Sequence, residues 1–360
     1  MIKLLVVDDS ALMRRVLGEI FAHEEDFELA FAKDGVEALE KAQTFQPDVV
    51  TLDVQMPRMG GLACLNSLMV ERPCPVVMVS AVTTAGADAA LEALALGAVD
   101  FVAKPKGAVT LAIDDLASGL VAKVRQAAAT RLPRSHRLRD RVRAGQASRP
   151  QPSPVRDDPA PWRPTNAGDP AGLVIIGTST GGPQALDTVL PALSADFPWP
   201  VLVAQHMPAL FTASLARRLD TICQLRVTEV VKPTPLAAGT IYIARGNADM
   251  MVSARKGVPV VLSTPSDAQH RWHPSVDRLV ESAASAFPAR SLIGVLMTGM
   301  GNDGAKAMAE LRRAGGRTIA EAEETAIVWG MPGELVKAGG ADVVAPLESI
   351  AGQICQMVRQ

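Results

Sequence analysis

LVIIGTSTGGP, residues 173–183, is the stretch on which the reading of this chain turns: four apolar residues run straight into glycine and hydroxyl residues. That pattern fits a buried strand that stops in a tight turn, with Ser179 on the turn and a helix opening at Pro183. Gly177-Thr178-Ser179-Thr180-Gly181 also satisfies the G-x-S-x-G spacing, in which small flanking residues leave a serine exposed on a sharp strand-to-helix turn. Two other readings fit the same residues. One is a glycine-rich phosphate loop whose backbone N–H groups approach an anion at a helix N-terminus, and the other is a plain turn.

Two further apolar runs bear on the choice. Val201–Ala204 leads into Gln205-His206-Met207-Pro208, and Leu292–Met297 leads into Thr298-Gly299-Met300-Gly301-Asn302-Asp303-Gly304. Open α/β sheets bind ligands outside the carboxyl ends of their strands, so Ser179, His206 and Asp303 could meet at one edge. A hydroxyl, an imidazole and a carboxylate are the inventory of a nucleophile, a base and an orienting group.

At 360 residues, with 48% hydrophobic and 21% charged residues, the chain is long enough for two domains that each bury a core. A net charge of −2 gives no general attraction to nucleic acid or membranes. No apolar run approaches the roughly 18 residues of a membrane span, and the aspartates Asp8 and Asp9 follow the first short one. Cys64, Cys74, Cys223 and Cys355 form no C-x-x-C pair, which argues against a disulfide framework and a structural zinc site. The reducing cytoplasm is the expected compartment, with no membrane insertion.

In residues 1 to 130 a β-to-α step recurs. Ile2–Val7 reads as a buried strand, and Asp8-Asp9-Ser10 offers capping groups before Leu12, Met13, Val16, Leu17 and Ile20 repeat at helical spacing. A helix opens at Asp34-Gly35, and strands are expected at Asp48–Leu52, Val76–Val79 and Val99–Val102. With one more strand counted before the helix at Asp34-Gly35, five strands alternating with helices imply a small doubly wound parallel sheet. Asp8, Asp9, Asp53, Ser80 and Lys104 all fall at strand ends. Three carboxylates crowded there repel one another unless a cation sits among them, and Mg²⁺ is a hard ion that suits oxygen ligands.

LLVVDDS, VVTLDVQMP, VSA and DFVAKP resemble the fingerprint of response-regulator receiver domains over residues 1 to 124. The resemblance implies that Asp53 is the phosphoacceptor, that Asp8 and Asp9 with Asp53 and Gln55 hold Mg²⁺, and that Lys104 pairs with a phosphoryl oxygen. Ser80 and Phe101 would form the switch. A phosphoryl group adds about −1.5 to −2 charges, enough to recruit a hydroxyl and move strand ends.

Between Arg131 and Arg163 lie nine Arg against three Asp, six prolines and almost no large apolar residue. Such a segment cannot offset its ordering entropy by burial and reads as a flexible tether. It lacks the interleaved aromatics and helical periodicity of a nucleic-acid surface, so no nucleic-acid partner is expected.

After the tether the βα pattern resumes. Strands are expected at Leu173–Ile176, Val201–Ala204, Gly239–Ala244, Val258–Leu262 and Leu292–Met297, with a hairpin turn at Lys256-Gly257. Helices are expected from Pro183 to Leu193, Phe211 to Leu219, Ser275 to Ala286, Ala305 to Ala314 and Leu347 to Val358. His270 and His273 could line a groove or cap the helix at Ser275, and no carboxylate or cysteine at zinc-like spacing supports metal ligation there.

GTSTGGPQAL, AQHMP, HPSVD, LMTGMGNDGA and WGMPG resemble the catalytic domain of the chemotaxis protein-glutamate methylesterases over residues 172 to 360. The expected architecture is two doubly wound α/β domains joined by a flexible linker at 125–171. A flavodoxin-like receiver would occupy 1–124 and a Rossmann-like catalytic domain with a hairpin 172–360. The resemblance places the nucleophile on Ser179, the base on His206, the triad aspartate on Asp303 and an oxyanion-stabilising backbone N–H on Met300, with no cofactor in that domain.

It implies phosphorylation-activated hydrolysis of glutamate methyl esters, and deamidation of glutamines, on the cytoplasmic helices of chemoreceptors, with a chemotaxis histidine kinase as phosphodonor. Gln55 replaces the glutamate and Gly60 the second aspartate of the D-V-E-M-P-R-M-D-G receiver pattern, and with Gln55 one negative charge is gone beside the phosphorylation site. The competing reading is a signalling module whose second domain binds a nucleotide or anion through Gly177, Gly181 and Gly182 without catalysis.

Overall fold

The apolar runs of the N-terminal half become strands of one parallel sheet in the computed structural model, which describes residues 1–81, 83–104, 113–130, 170–255 and 257–359. Ile2–Val7 (β1), Phe27–Ala32 (β2), Val49–Asp53 (β3), Val76–Ser80 (β4) and Asp100–Ala103 (β5) alternate with helices Ala11–Ala22 (α1), Gly35–Phe45 (α2), Gly61–Glu71 (α3), Thr84–Ala95 (α4) and Ile113–Ala129 (α5). The strand order is β2-β1-β3-β4-β5, every pairing parallel. In this order the topological switch point lies between β1 and β3, the strands that carry Asp8, Asp9 and Asp53 at their ends.

Burial explains the composition of these strands. β3 and β4 are buried at every residue, as a parallel sheet covered on both faces requires. Ser10, Asp34 and Thr83 start α1, α2 and α4 by accepting N–H groups of the first turn. The last helix of this unit extends to Ala129, five residues past 124. Of the linker, residues 131–169 lie outside the described residues.

The C-terminal half builds a second parallel sheet. Its strands are Leu173–Thr178 (β6), Val201–Gln205 (β7), Arg226–Val230 (β8), Thr240–Ala244 (β10), Leu292–Leu296 (β13), Arg317–Glu321 (β14) and Val343–Ala345 (β15), in the order β15-β14-β13-β6-β7-β10-β8. Thr234–Pro235 (β9), Ala248–Arg255 (β11) and Val258–Pro265 (β12) form a small antiparallel sheet, with the expected hairpin between β11 and β12. The helices are Gly182–Val189 (α6), Ala209–Ile222 (α7), Val276–Ala286 (α8), Ala305–Arg313 (α9), Met331–Lys337 (α10) and Leu347–Val358 (α11).

Fully buried Leu173, Ile175, Leu202, Leu292 and Leu296 from the central strands pack with Leu279 and Met308 from α8 and α9 in one core. β6 lies between β13 and β7, so the strand feeding Ser179 is central and the strands feeding His206 and Asp303 are its two neighbours.

The start of α3 is set by a close approach. A Cβ on Gly61 would sit 2.0 Å from the carbonyl oxygen of Asp53. Gly61→Ala must therefore push α3 off the end of β3, and the receiver should lose about 2 kcal/mol, as overpacked sites do. Thermal unfolding of the variant beside the parent checks this; an unchanged midpoint would contradict the packing described.

Candidate active site

Ser179 and His206 are brought together by strand register. Thr178 pairs with Gln205 across β6 and β7, and the His206 N–H donates to the Thr178 carbonyl at 3.1 Å, so the two site residues leave adjacent strands one step later. The Gln205 carboxamide ties both turns together. Its Nε2 donates to the carbonyls of Ser179 at 2.9 Å and His206 at 3.1 Å, while its Oε1 accepts the Thr178 hydroxyl at 2.7 Å.

From the other side, the loop after β13 clasps the serine turn. The Ser179 N–H donates to the Thr298 carbonyl at 3.0 Å, and the Thr298 hydroxyl donates to the Thr180 carbonyl at 2.9 Å. A Cβ on Gly299 would lie 2.8 Å from Cβ of Ser179 and 2.4 Å from Sδ of Met331, so only glycine fits between them. Met300 follows directly, and its N–H donates to no acceptor among the described residues.

Asp303 closes the arrangement. Its Oδ2 lies 2.8 Å from His206 Nε2 and accepts the Val276 N–H at 2.7 Å, while its Oδ1 accepts the Asp277 N–H at 3.0 Å and the Ser275 hydroxyl at 3.2 Å. The carboxylate thus caps the N-terminus of α8, where unpaired N–H groups and the helix dipole favour an anion. Burial alone would push its pKa up, but His206 and those two backbone N–H groups outweigh it and hold the carboxyl below its usual range.

Asp303 accepts from Nε2, so Nδ1 is the imidazole nitrogen that keeps its lone pair. It is buried and has no hydrogen-bond partner among the described residues. Ser179, half-buried, likewise makes no side-chain hydrogen bond to His206 in this arrangement. The imidazole–carboxylate pair is thus formed while His206 Nδ1 keeps its acceptor position open on the ring side away from Asp303.

Several contributors carry no motif of their own. Trp272 lies parallel to the His206 ring, with centroids 6.0 Å apart and planes within 2°. Buried Asp249 accepts from His273 Nδ1 at 3.0 Å, the Ser275 N–H at 2.8 Å and Arg278 Nη1 at 2.5 Å, fixing the loop before α8. His273 is therefore a hydrogen-bond partner of Asp249, and Ser275 is the N-cap of α8. Asp249 and Arg278 escaped the sequence reading, although an aspartate inside an apolar strand is a signal of a buried partner.

In the N-terminal unit, ligand oxygens of Asp8, Asp9 and Asp53 all lie within 4.8 Å of one another. Lys104 Nζ bridges two of them, at 2.8 Å from Asp8 Oδ2 and 2.7 Å from Asp53 Oδ2. Burial raises the Asp53 pKa and the Asp8 charge adds to it, against the pull of Lys104. A cleft of about 300 Å³ opens here, lined by Asp9, Asp53, Gln55, Ser80 and Lys104 among others. The Gln55 N–H donates to Asp53 Oδ1 at 3.4 Å and its side chain is exposed. The Ser80 hydroxyl donates to the Gly86 carbonyl at 3.0 Å, and Phe101 is buried. Among the described residues no helix is long and apolar enough to cross a membrane.

Comparison with known proteins covers nearly the whole chain. The CheB methylesterase family model matches residues 174–354, and the response regulator receiver domain matches residues 4–113. A protein-glutamate methylesterase/protein-glutamine glutaminase of Rhodopseudomonas palustris is 53% identical over 359 residues, covering 99% of this chain and 98% of its own. One from Rhodospirillum rubrum is 51% identical over 98% of this chain and 95% of its own. The crystal structure of the Thermotoga maritima CheB methylesterase catalytic domain matches with a TM-score of 0.50 at 38% identity, covering 52% of this chain and 98% of that one. With a receiver matched in front and a methylesterase domain behind, and with relatives above 50% identity matched over 98% or more of its length, the chain belongs to the CheB family of protein-glutamate methylesterases.

Proposed function

We propose that Ser179, His206 and Asp303 are the nucleophile, general base and orienting carboxylate of a protein-glutamate methylesterase that also deamidates glutamines. Its substrates in this reading are methylated glutamates and certain glutamines on the cytoplasmic helices of chemoreceptors. The observation that supports it most is the 2.8 Å pair between His206 and Asp303, held at the end of a helix one strand away from Ser179.

His206 Nδ1 takes the proton from the Ser179 hydroxyl as its oxygen attacks the ester carbonyl. Asp303, acceptor to Nε2, stabilises the imidazolium that results. The Met300 N–H, uncommitted among the described residues, donates to the oxygen on which charge develops. The imidazolium then protonates the departing methanol, leaving glutamate acylated on Ser179, and an activated water releases the free carboxylate. With a primary amide the leaving group is ammonia.

Phosphorylation of Asp53 is read as the activating signal, donated by a chemotaxis histidine kinase. Asp8, Asp9 and Asp53 present the hard oxygen set that Mg²⁺ prefers, and with the Gln55 backbone carbonyl they would hold it. Bound there, Mg²⁺ would neutralise charge on the phosphoryl oxygens. Lys104, already within ion-pair distance of Asp53, supplies a second positive charge from the chain itself. Ser80, bonded to Gly86 at the start of α4, is close enough to the cleft to exchange that carbonyl for a phosphoryl oxygen.

Methanol release from a methylated receptor fragment tests the assignment directly. Ser179→Ala should lower the rate by about a thousandfold or more, since the covalent route is lost. Asp53→Ala should keep the basal rate and lose the increase that a small-molecule phosphodonor gives the parent. A Ser179→Ala variant as fast as the parent would overturn the nucleophile.

Asp303→Asn separates chemistry from capping. The asparagine oxygen can still accept from α8, so the protein should fold, while kcat falls by about a thousandfold or more as the imidazolium loses its counter-charge. The Asp303 pKa is lowered in the folded protein, so its stabilising share is complete above the unfolded carboxyl range and lost as pH falls through the depressed value. The gap in melting temperature between parent and Asp303→Asn should therefore be widest near neutrality and close in acid.

A further inference from the structure

Behind the Ser179 turn lies a carboxyl group that the reaction does not use. Glu321 ends β14, the strand beyond β13, and its side chain is completely buried. Its Oε2 accepts the Thr298 N–H at 2.7 Å and its Oε1 lies 3.1 Å from the Thr325 hydroxyl, while its own backbone carbonyl accepts the Trp329 indole N–H at 2.8 Å. Thr298 is the residue whose carbonyl takes the Ser179 N–H and whose hydroxyl donates to the Thr180 carbonyl and accepts the Val328 N–H at 2.9 Å. Two residues farther on is Met300.

We propose that Glu321 is a positioning residue for the Ser179 turn and the Met300 N–H, acting through Thr298, and that the site requires a planar acceptor there. This rests on Ser179 being the nucleophile. The hydrogen-bond directions carry the second half of the inference. Thr298 needs an acceptor. Thr325 accepts the Leu347 N–H at 3.1 Å and donates its hydroxyl to Glu321 Oε1, with a second acceptor for that proton in the Ala322 carbonyl at 3.3 Å, so it can face either an oxygen or an N–H of the 321 side chain. A carboxylic acid satisfies both neighbours, with its carbonyl oxygen facing Thr298 and its O–H facing Thr325. A carboxamide does the same with its oxygen and N–H.

No cation is paired with Glu321 among the described residues, and the other charged group acting on it is Glu348 at the start of α11, of the same sign. Burial pushes the Glu321 carboxyl up to about 7, with Glu348 adding to the rise against the hydrogen bonds from Thr298 and Thr325.

Steady-state methanol release by the full-length protein at saturating and limiting substrate tests the proposal, with Glu321→Leu, Glu321→Gln and Ser179→Ala measured together. Leu leaves the Thr298 N–H without its acceptor and lets the turn drift, so kcat should fall about a hundredfold, as small misplacements of reacting groups do, with KM little changed. Gln should rescue kcat to within about threefold of the parent. If the Leu variant does not fold, Glu321→Asp, one methylene short of Thr298, should lower kcat severalfold at unchanged KM.

A folded Leu or Asp variant with parental kcat would overturn the positioning role, and a Gln variant as slow as Leu would overturn the planar acceptor. Ser179→Ala keeps the two readings apart. If it is inactive while Glu321→Leu is fully active, the Glu321 proposal fails alone; if Ser179→Ala is active, the nucleophile assignment fails.

Discussion

The parallel pairing of β13, β6 and β7 is the constraint on which the site depends. Parallel neighbours end at the same edge of a sheet, so three apolar strands laid side by side deliver whatever follows them to one place. Here Gly177 pairs with Leu296 and Thr178 with Gln205. A slip of one residue in either pairing would turn every side chain of that strand to the opposite face, bury the wrong set and carry His206 or Asp303 away with it. Register is thus enforced by core packing, and the site inherits its accuracy from the core.

Electrostatics then fix what the register has assembled. Asp303 would be costly to bury as a bare anion. The beginning of α8 removes that cost with two backbone N–H groups and a hydroxyl, and the imidazole completes the shell. Asp249 does a similar service one layer out, satisfying Arg278, His273 and the Ser275 N–H at once. The receiver solves the opposite problem, three clustered carboxylates, with the Lys104 ammonium set between two of them.

The fold was largely legible in the sequence because buried parallel strands read as short unbroken apolar runs, and β1, β6, β7 and β13 are of that kind. β14 and β15 escaped because they are brief and bounded by charge: Arg317–Glu321 has only three uncharged residues, and Val343–Ala345 is three residues long. β2, at the sheet edge and half-exposed, lacks the continuous pattern. Ser179, His206 and Asp303 stood out as candidates because each follows an apolar run with a residue type that has a chemical use. G-x-S-x-G alone left a phosphate loop open, and it was the other two strand ends and the family match that closed that reading. Trp272, Asp249, Gln205 and Glu321 were not visible, since their roles depend on partners at distant positions and their residue types are common in loops and at strand ends.

The crowded surroundings of Asp303 bear on where charge resides during turnover. Four donors already converge on its two oxygens. Little lone-pair density remains to receive a migrating hydrogen, and a neutral acid there would forfeit the company of the helix end. In the proposed reaction the positive charge born on the ring would consequently stay on the ring, and the serine, imidazole and aspartate sequence would work as a one-step transfer beside a fixed counter-ion, with no onward relay.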